Sequence, residues 1–173
     1  YLARASASSA ARPRFDASDG MGDNYGIVIT KDLSGQIWVA NVTGGVSRYD
    51  GHRWRHFTTE DGMARGTVRA ILVDREGQVW FASNGYGVTV FDGETFRILT
   101  TADGLAHNSL RSLMQSRDGH IWFGTDAGLV SRYDGEIFQT LTAEDGLTGQ
   151  SVRAMIQDRR GDIWFGTYGG VVR

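Results

Sequence analysis

The stretch Asp74-Arg75-Glu76-Gly77-Gln78-Val79-Trp80-Phe81 decides the fold, because its pattern returns every 42 residues. The tryptophans of the four copies are Trp38, Trp80, Trp122 and Trp164, and the glycines are Gly35, Gly77, Gly119 and Gly161. Asp-Gly pairs keep the same step, at Asp19-Gly20, Asp61-Gly62, Asp103-Gly104 and Asp145-Gly146. Self-similarity at such a period is typical of repeat architectures. The sequence therefore predicts four copies of one structural unit.

One period contains four short runs of strand-forming residues separated by turns that contain Gly, Asn or Asp. In the second repeat the predicted strands are 68–74, 79–83, 88–91 and 95–100. Four antiparallel strands per period are typical of a propeller blade. We therefore predict an all-β fold, a four-bladed β-propeller. Its repeat register is 26–67, 68–109, 110–151 and 152–173.

Large apolar residues occur at both parities of the predicted strands, so both faces of each sheet must be buried. In a strand, Trp80 and Phe81 point to opposite sides. Blades stacked around an axis bury both sides, whereas one isolated sheet cannot. We therefore predict that the tryptophans form the structural core between blades: Trp38, Trp80, Trp122 and Trp164.

The two ends of the chain stand in register as parts of one blade. The last repeat stops at Arg173, early in its third strand, while Phe15 aligns with the fourth-strand positions 57, 99 and 141. We predict that residues 6–25 complete the last blade, and that a propeller over 11–173 follows an N-terminal extension, 1–10. The closing strand would contain Arg12, Pro13, Arg14 and Phe15. It could pair with its own last blade or with the last blade of another copy.

Composition excludes several classes of function. The net charge is −2, from 18 basic and 20 acidic residues, which argues against a nucleic-acid partner. The chain has no cysteine, so disulfides and thiolate metal sites are excluded. No apolar run approaches the roughly 20 residues of a membrane helix, so no membrane insertion is expected. The small-residue stretch after Tyr1 favours a processed, secreted protein or an excerpt of a longer one.

Three arginines at equivalent positions are the candidate ligand-binding residues. Arg69, Arg111 and Arg153 stand at the start of the first strand of their repeats, and Ile27 takes the fourth equivalent position. Guanidinium groups at one mouth of the propeller would bind an anion or a partner's carboxylates. Alternatively, each arginine pairs with the acidic loop of its own or the next blade.

No catalytic residue, metal site or cofactor is predicted. The histidines, at positions 52, 56, 107 and 120, occupy four different phases of the repeat, so they do not suggest a convergent site. A glycosidase would need two carboxylates about 5–10 Å apart in a cleft. The loops here are short and nearly identical, which disfavours an enzyme.

The repeat resembles the two-component regulator propeller repeat of bacterial extracytoplasmic sensor regions. The resemblance rests on Val68-Arg69-Ala70-Ile71, Asp74, Gly77, Val79-Trp80-Phe81 and Phe91-Asp92-Gly93, and on the matching residues of the third repeat, such as Ile121-Trp122-Phe123-Gly124-Thr125. This resemblance implies a periplasmic or surface location and binding rather than catalysis.

Two hypotheses of function follow. The first is a non-enzymatic extracellular propeller that is structural or mediates interactions, and that assembles with other copies of itself into filaments or tubes through its terminal strand. The alternative is a ligand-sensing periplasmic propeller of a two-component regulatory system, which would bind a glycan or another anionic small molecule. Both place the protein outside the cytoplasm, secreted or periplasmic.

Overall fold

The computed structural model describes residues 14–173, which fold into short strands linked by turns and by four single-turn 3-10 helices. Blade 1 contains β1 (Gly26–Lys31), β2 (Ile37–Asn41), β3 (Val46–Tyr49) and β4 (Trp54–Phe57). Blade 2 contains β5 (Val68–Val73), β6 (Val79–Ser83), β7 (Val88–Phe91) and β8 (Phe96–Leu99). Blade 3 contains β9 (Leu110–Gln115), β10 (Ile121–Thr125), β11 (Val130–Tyr133) and β12 (Phe138–Leu141). Blade 4 contains β13 (Val152–Gln157), β14 (Ile163–Thr167) and β15 (Gly170–Val172).

Each blade is an antiparallel sheet whose strands lie in chain order. The first three blades have four strands and the fourth has three among the residues described. The predicted all-β fold with four propeller blades is confirmed. None of the helices in the described part of the chain is long and apolar enough to cross a membrane.

The hydrophobic core consists of three clusters, and each lies between two consecutive blades. The side chains of the central strand alternate between neighbours: Phe81 belongs to the cluster with blade 1, and Trp80 to the cluster with blade 3. The tryptophan rings contact the phenylalanine of the next blade, with centroid distances of 5.3 Å for Trp38–Phe81 and 5.8 Å for Trp80–Phe123. Stacking of blades therefore buries both faces of each sheet.

A side-chain acceptor before each hairpin holds the indole of the same blade. The indole N–H of Trp80 donates to Asp74 Oδ2 at 2.7 Å, and that of Trp38 donates to Asp32 Oδ2 at 2.8 Å. Oδ1 of Asp74 also accepts the main-chain N–H of Gln78. The aspartate thus satisfies a buried indole and fixes the hairpin with the same carboxylate.

The loops between blades are shaped by the Asp-Gly pairs. Four 3-10 helices begin these loops, at Ala17–Asp19, Thr59–Asp61, Thr101–Asp103 and Ala143–Asp145. In the second, the hydroxyl of Thr58 accepts the N–H of Glu60, while Asp61 accepts the N–H of Thr58, which forms a capping box. Gly62 then takes a φ of 100°, and Met63 is buried in the core between blades 1 and 2. The Asp-Gly pair therefore stops the helix and directs an apolar side chain inward.

The predicted closure of the ring is not seen in the described residues. The inner strands pack in chain order, β1 on β5, β5 on β9 and β9 on β13. Within residues 14–173, the outward sides of the end blades expose apolar side chains, since Ile29 of β1 is 70% exposed and Ile156 of β13 is 63% exposed. Among residues 14–173, blade 4 has three strands, because none of the described strands pairs with the outer edge of β15. The described residues therefore form an arc of blades.

The predicted closing strand is described only in part. Arg12 and Pro13 lie outside the described residues, as does the predicted extension 1–10, and residues 14–16 form no strand. The ring of Phe15 packs on blade 1, at 5.1 Å from Tyr49 and 5.7 Å from Trp54. This is the way in which Phe57 packs on the equivalent aromatic residues of blade 2. Phe15 therefore packs on blade 1 as a fourth-strand residue of a preceding blade would, but it is not part of a strand of blade 4.

The four tryptophans differ in how well they are covered, which gives a matched test of blade packing. Trp80 is 3% exposed, whereas Trp164 is partly exposed because no described blade packs on it. Trp80→Phe removes the indole donor and leaves the buried Asp74 without that partner, so we expect a loss of about 1–3 kcal/mol in the free energy of unfolding. Trp164→Phe should cost less than about 1 kcal/mol, since water can replace the donor to Asp158. Urea unfolding followed by circular dichroism measures both; equal losses would contradict this packing.

Candidate functional site

The candidate arginines sit on β-bulges at the start of the innermost strands. Val68 pairs with Ser83 and Ala70 with Ala82, which leaves Arg69 as the unpaired extra residue. Arg111 and Arg153 occupy the same bulge position on β9 and β13. A bulge turns the side chain of the extra residue away from the regular alternation. The repeat thus presents one variable side chain per blade at the same end of the inner strands.

Asp126 brings two of the three arginines together. Its Oδ2 accepts from Nη1 of Arg69, and its Oδ1 accepts from Nε of Arg111, both at 2.5 Å. The hydroxyl of Ser151, on the loop before blade 4, also donates to Oδ1, at 3.1 Å. One carboxylate therefore links blades 2, 3 and 4. We call Arg69, Arg111, Arg153 and Asp126 the arginine cluster.

The surroundings of Asp126 favour its charged form. Partial burial opposes ionisation, but the hydrogen bonds from Arg111, Ser151 and Arg69 outweigh it and hold the pKa of Asp126 below its ordinary value. The side chains of Arg69, Asp126 and Arg111 are 23%, 28% and 32% exposed, so solvent still reaches this group. With three guanidinium groups and one carboxylate, the arginine cluster carries a net positive charge.

Arg153 does not hydrogen-bond to Asp126. Its guanidinium lies over the ring of Tyr168, 4.8 Å from the centroid, and the residue is exposed. A cation–π contact leaves the N–H donors of the guanidinium available. Of the three predicted ligand-binding residues, Arg69 therefore pairs with an acid of the next blade and Arg111 with an acid of its own blade. Arg153 has no hydrogen-bond partner among the described residues. The fourth bulge carries Ile27, which is exposed.

Sequence reasoning missed Asp126 and Ser151. Asp126 is not part of an Asp-Gly turn; it follows β10, and its main-chain N–H donates to Ser109 O at 3.0 Å. The equivalent positions carry Val42, Asn84 and Tyr168, with the same main-chain hydrogen bond. The signal available in the sequence was the variable side chain at this position, because a core position such as that of Trp80 keeps the same residue in all four repeats.

A Ser–His pair in blade 1 resembles part of a catalytic arrangement, but its geometry is structural. Ser47 Oγ lies 3.1 Å from His56 Nδ1, donates to Asn41 Oδ1 at 2.8 Å and accepts the N–H of Gly22 at 3.0 Å. Ser47 is fully buried. A nucleophile must be reachable by the substrate, so this serine anchors the loop before blade 1 instead.

A groove on the opposite face, between blades 2 and 3, is a weaker candidate. It has a volume of about 420 Å³ and is lined by Asp118, His120 and Arg97 among others. His120 Nδ1 lies 2.7 Å from Asp118 Oδ2, and His120 Nε2 lies 3.0 Å from Nη2 of Arg132. Among the described residues, no three His, Asp or Glu side chains converge to hold a metal ion.

Comparison with known proteins places the repeat in a family. The model of the two-component regulator propeller matches residues 62–85, 104–127 and 146–169, which include all three arginines of the cluster. No curated protein matches the chain.

Several solved structures share the fold. The extracellular domain of BT3049 from B. thetaiotaomicron, assigned as a hybrid two-component system, matches with a TM-score of 0.81 and 25% identity over 92% of this chain and 23% of its own. PorZ, a surface component of the type-IX secretion system of Porphyromonas gingivalis, matches with a TM-score of 0.67 and 19% identity, over 88% and 25%. Virginiamycin B lyase from Staphylococcus aureus matches with a TM-score of 0.63 and 15% identity, over 83% and 53%. The chain thus spans about a quarter of the first two structures, and at these identities the last two show the fold alone.

The pairing of Asp126 predicts a specific dependence of stability on pH. Because its pKa is lowered in the folded state, its stabilisation is present above the ordinary carboxyl pKa of about 3.9 and is lost as the pH falls through the folded-state value. Asp126→Asn should therefore lower the free energy of unfolding by about 1 kcal/mol at pH 6, given the partial exposure of the group. This difference from the unmodified protein should vanish in acid. Urea unfolding between pH 2 and 7 measures it, with the exposed Glu136→Gln as control; a difference independent of pH would contradict the ion pairs.

Proposed function

Because the chain belongs to the two-component regulator propeller family, we propose that it is a non-enzymatic ligand-recognition module of a two-component regulatory system, located in the periplasm or at the cell surface. The matched structure of BT3049 is itself an extracellular domain of a hybrid two-component system. The function proposed here is recognition of an anionic glycan or other anionic small molecule at the arginine cluster.

The observation that carries this proposal is the bulge at the start of three inner strands. It directs Arg69, Arg111 and Arg153 to the same end of the inner strands. The packing of the core does not require charged side chains at these positions. Guanidinium groups bind carboxylates through paired N–H donors. Arg153 offers its donors directly, while Arg69 and Arg111 share Asp126. The cluster therefore suits a ligand that carries more than one anionic group.

Asp126 gives this proposal an unusual signature. Its carboxylate competes with an anionic ligand for Arg69 and Arg111. Removal of the carboxylate therefore frees two guanidinium groups and also removes a negative charge that repels the ligand. Arg153→Ala should weaken the binding of an oligosaccharide of uronic acids about tenfold, which corresponds to about 1.4 kcal/mol. Asp126→Asn should strengthen the same binding. Isothermal titration calorimetry at low salt measures both effects.

The controls separate recognition from non-specific charge. Arg53→Ala removes an arginine whose side chain is 86% exposed in the turn between β3 and β4, and it should leave the affinity unchanged. A neutral glucan oligosaccharide should not bind. If Arg53→Ala weakens binding as much as Arg153→Ala, the effect is one of net charge and the arginine cluster is not the site.

Self-association is a second candidate function, favoured by the outer edge of β15, which pairs with no strand among the described residues. An unpaired strand edge accepts an extended segment from another chain, and the N-terminal segment aligns with the missing fourth strand. In this reading copies join into filaments or tubes through residues 6–15.

Removal of residues 1–14 tests self-association by strand exchange. The full chain should form oligomers whose size grows with concentration, and the truncated chain should sediment as a monomer. Phe15 is retained, so that the packing on blade 1 is preserved. If the truncated chain forms the same oligomers, exchange of the terminal strand is not their cause.

A further inference from the structure

The side of blade 4 that faces away from blade 3 lacks a cover among the described residues. Ile156 is 63% exposed and Trp164 is partly exposed, whereas the equivalent residues Leu72 and Trp80 of blade 2 pack in the core shared with blade 3. Arg159 belongs to the exposed turn between β13 and β14, as Arg75 belongs to the equivalent turn of blade 2. We call Ile156, Arg159 and Trp164 the blade-4 face.

Two internal junctions show how such a face is recognised. At the junction of blades 2 and 3, the main-chain N–H of Arg75 donates to Gln115 Oε1 at 3.0 Å, and its guanidinium donates to Arg117 O at 2.9 Å. At the junction of blades 3 and 4, Arg117 makes the same contacts with Gln157 Oε1, at 2.8 Å, and Arg159 O, at 3.2 Å. An arginine in the turn of one blade is thus matched by a glutamine at the end of the first strand of the next.

The first junction uses a different pair at the same positions. Leu33 replaces the arginine and Val73 replaces the glutamine, so both members are apolar. The chain therefore contains two junctions with the Arg–Gln pair and one without it, where Leu33 is 70% exposed. In all three junctions the tryptophan contacts a phenylalanine, and the third pair, Trp122–Phe165, has a centroid distance of 6.0 Å.

Blade 1 is a poor complement to the blade-4 face. At the glutamine position it carries Lys31, and at the phenylalanine position it carries Val39. Docked on blade 4, Lys31 would bring a second cation to Arg159 and offer no acceptor to its main-chain N–H. Like charges and an unpaired donor both oppose such a contact. A second copy of this chain therefore does not satisfy the blade-4 face.

We infer that the blade-4 face binds a further propeller blade of the Arg–Gln type, with a glutamine at the end of its first strand and a phenylalanine in the middle of its second. This inference concerns assembly and goes beyond ligand recognition. The blade-4 face selects its neighbour by one hydrogen-bond acceptor and one aromatic ring.

The inference is tested by giving blade 1 the residues that the blade-4 face recognises. The double variant Lys31→Gln, Val39→Phe should associate head to tail, at least tenfold more tightly than the unmodified chain in sedimentation velocity. Adding Trp164→Ala to this variant should abolish the gain. The matched control, Lys31→Ala with Val39→Ala, should associate no more than the unmodified chain.

Three results would overturn the inference. The first is that the double variant associates no more tightly than its alanine control. The second is that its tighter association persists after Trp164→Ala. The third is that the unmodified chain itself associates and that Trp164→Ala abolishes this association. The last result would make blade 1 of a second copy the true occupant. Association through the terminal strand does not involve Trp164, so Trp164→Ala should leave it unchanged. Removal of residues 1–14 identifies it separately.

A second design serves if the double variant does not fold. Arg173 stands one period after Ser131, so a copy of residues 132–173 appended after Arg173 completes blade 4 and adds a blade with a new glutamine and phenylalanine. The main-chain N–H of Arg159 should then exchange with deuterium at least tenfold more slowly. Lysine in place of the new glutamine should remove this protection, whereas glutamate should retain it. Equal protection with lysine would overturn the inference.

Discussion

A blade of three or four short strands is too thin to bury both of its faces, and contact between neighbouring blades meets this constraint. Trp80 crosses to Phe123 of the next blade, while Asp74 holds its indole N–H at 2.7 Å. Trp38 and Trp122 make the same ring contact at the other two junctions, with their indole N–H groups held by Asp32 and Ser116. Each blade therefore depends mainly on its neighbours in the chain, as in other repeat proteins. The end blades, with one neighbour each among the described residues, expose apolar side chains such as Ile29 and Ile156.

The repeat made much of the fold predictable. A glycine and a tryptophan at fixed spacing define a hairpin, and strand parity places Trp80 and Phe81 on opposite sides, as the two core clusters show. The sequence could not show how far Trp164 is covered, because the same tryptophan of the repeat is buried where another blade packs on it, as at Trp80, and partly exposed where none of the described blades does. Register aligned Phe15 with the fourth-strand positions of the other repeats, but register does not decide which strand edge the segment joins.

The candidate site was less predictable, because its central residue is distant in sequence from its partner. Arg69 and Asp126 are separated by 57 residues, and no periodic signal connects two positions at different phases of the repeat. The bulges add a second obstacle, since they break the alternation from which side-chain direction is inferred. At the same time they allow the side chain at the bulge to vary without a change in the fold. The bulge position carries Ile27 in one blade and arginine in the others, while the adjoining main-chain hydrogen bonds stay constant.

Hydrogen exchange of the native protein, resolved by strand, tests most directly whether neighbouring blades are the main source of stability. If they are, the central strands β6 and β10, which are covered on both sides, should exchange most slowly, and β14 should exchange faster because only one side is covered. Uniform protection of all central strands, or slowest exchange in β14, would show that the blades are stabilised by something other than the contacts between them.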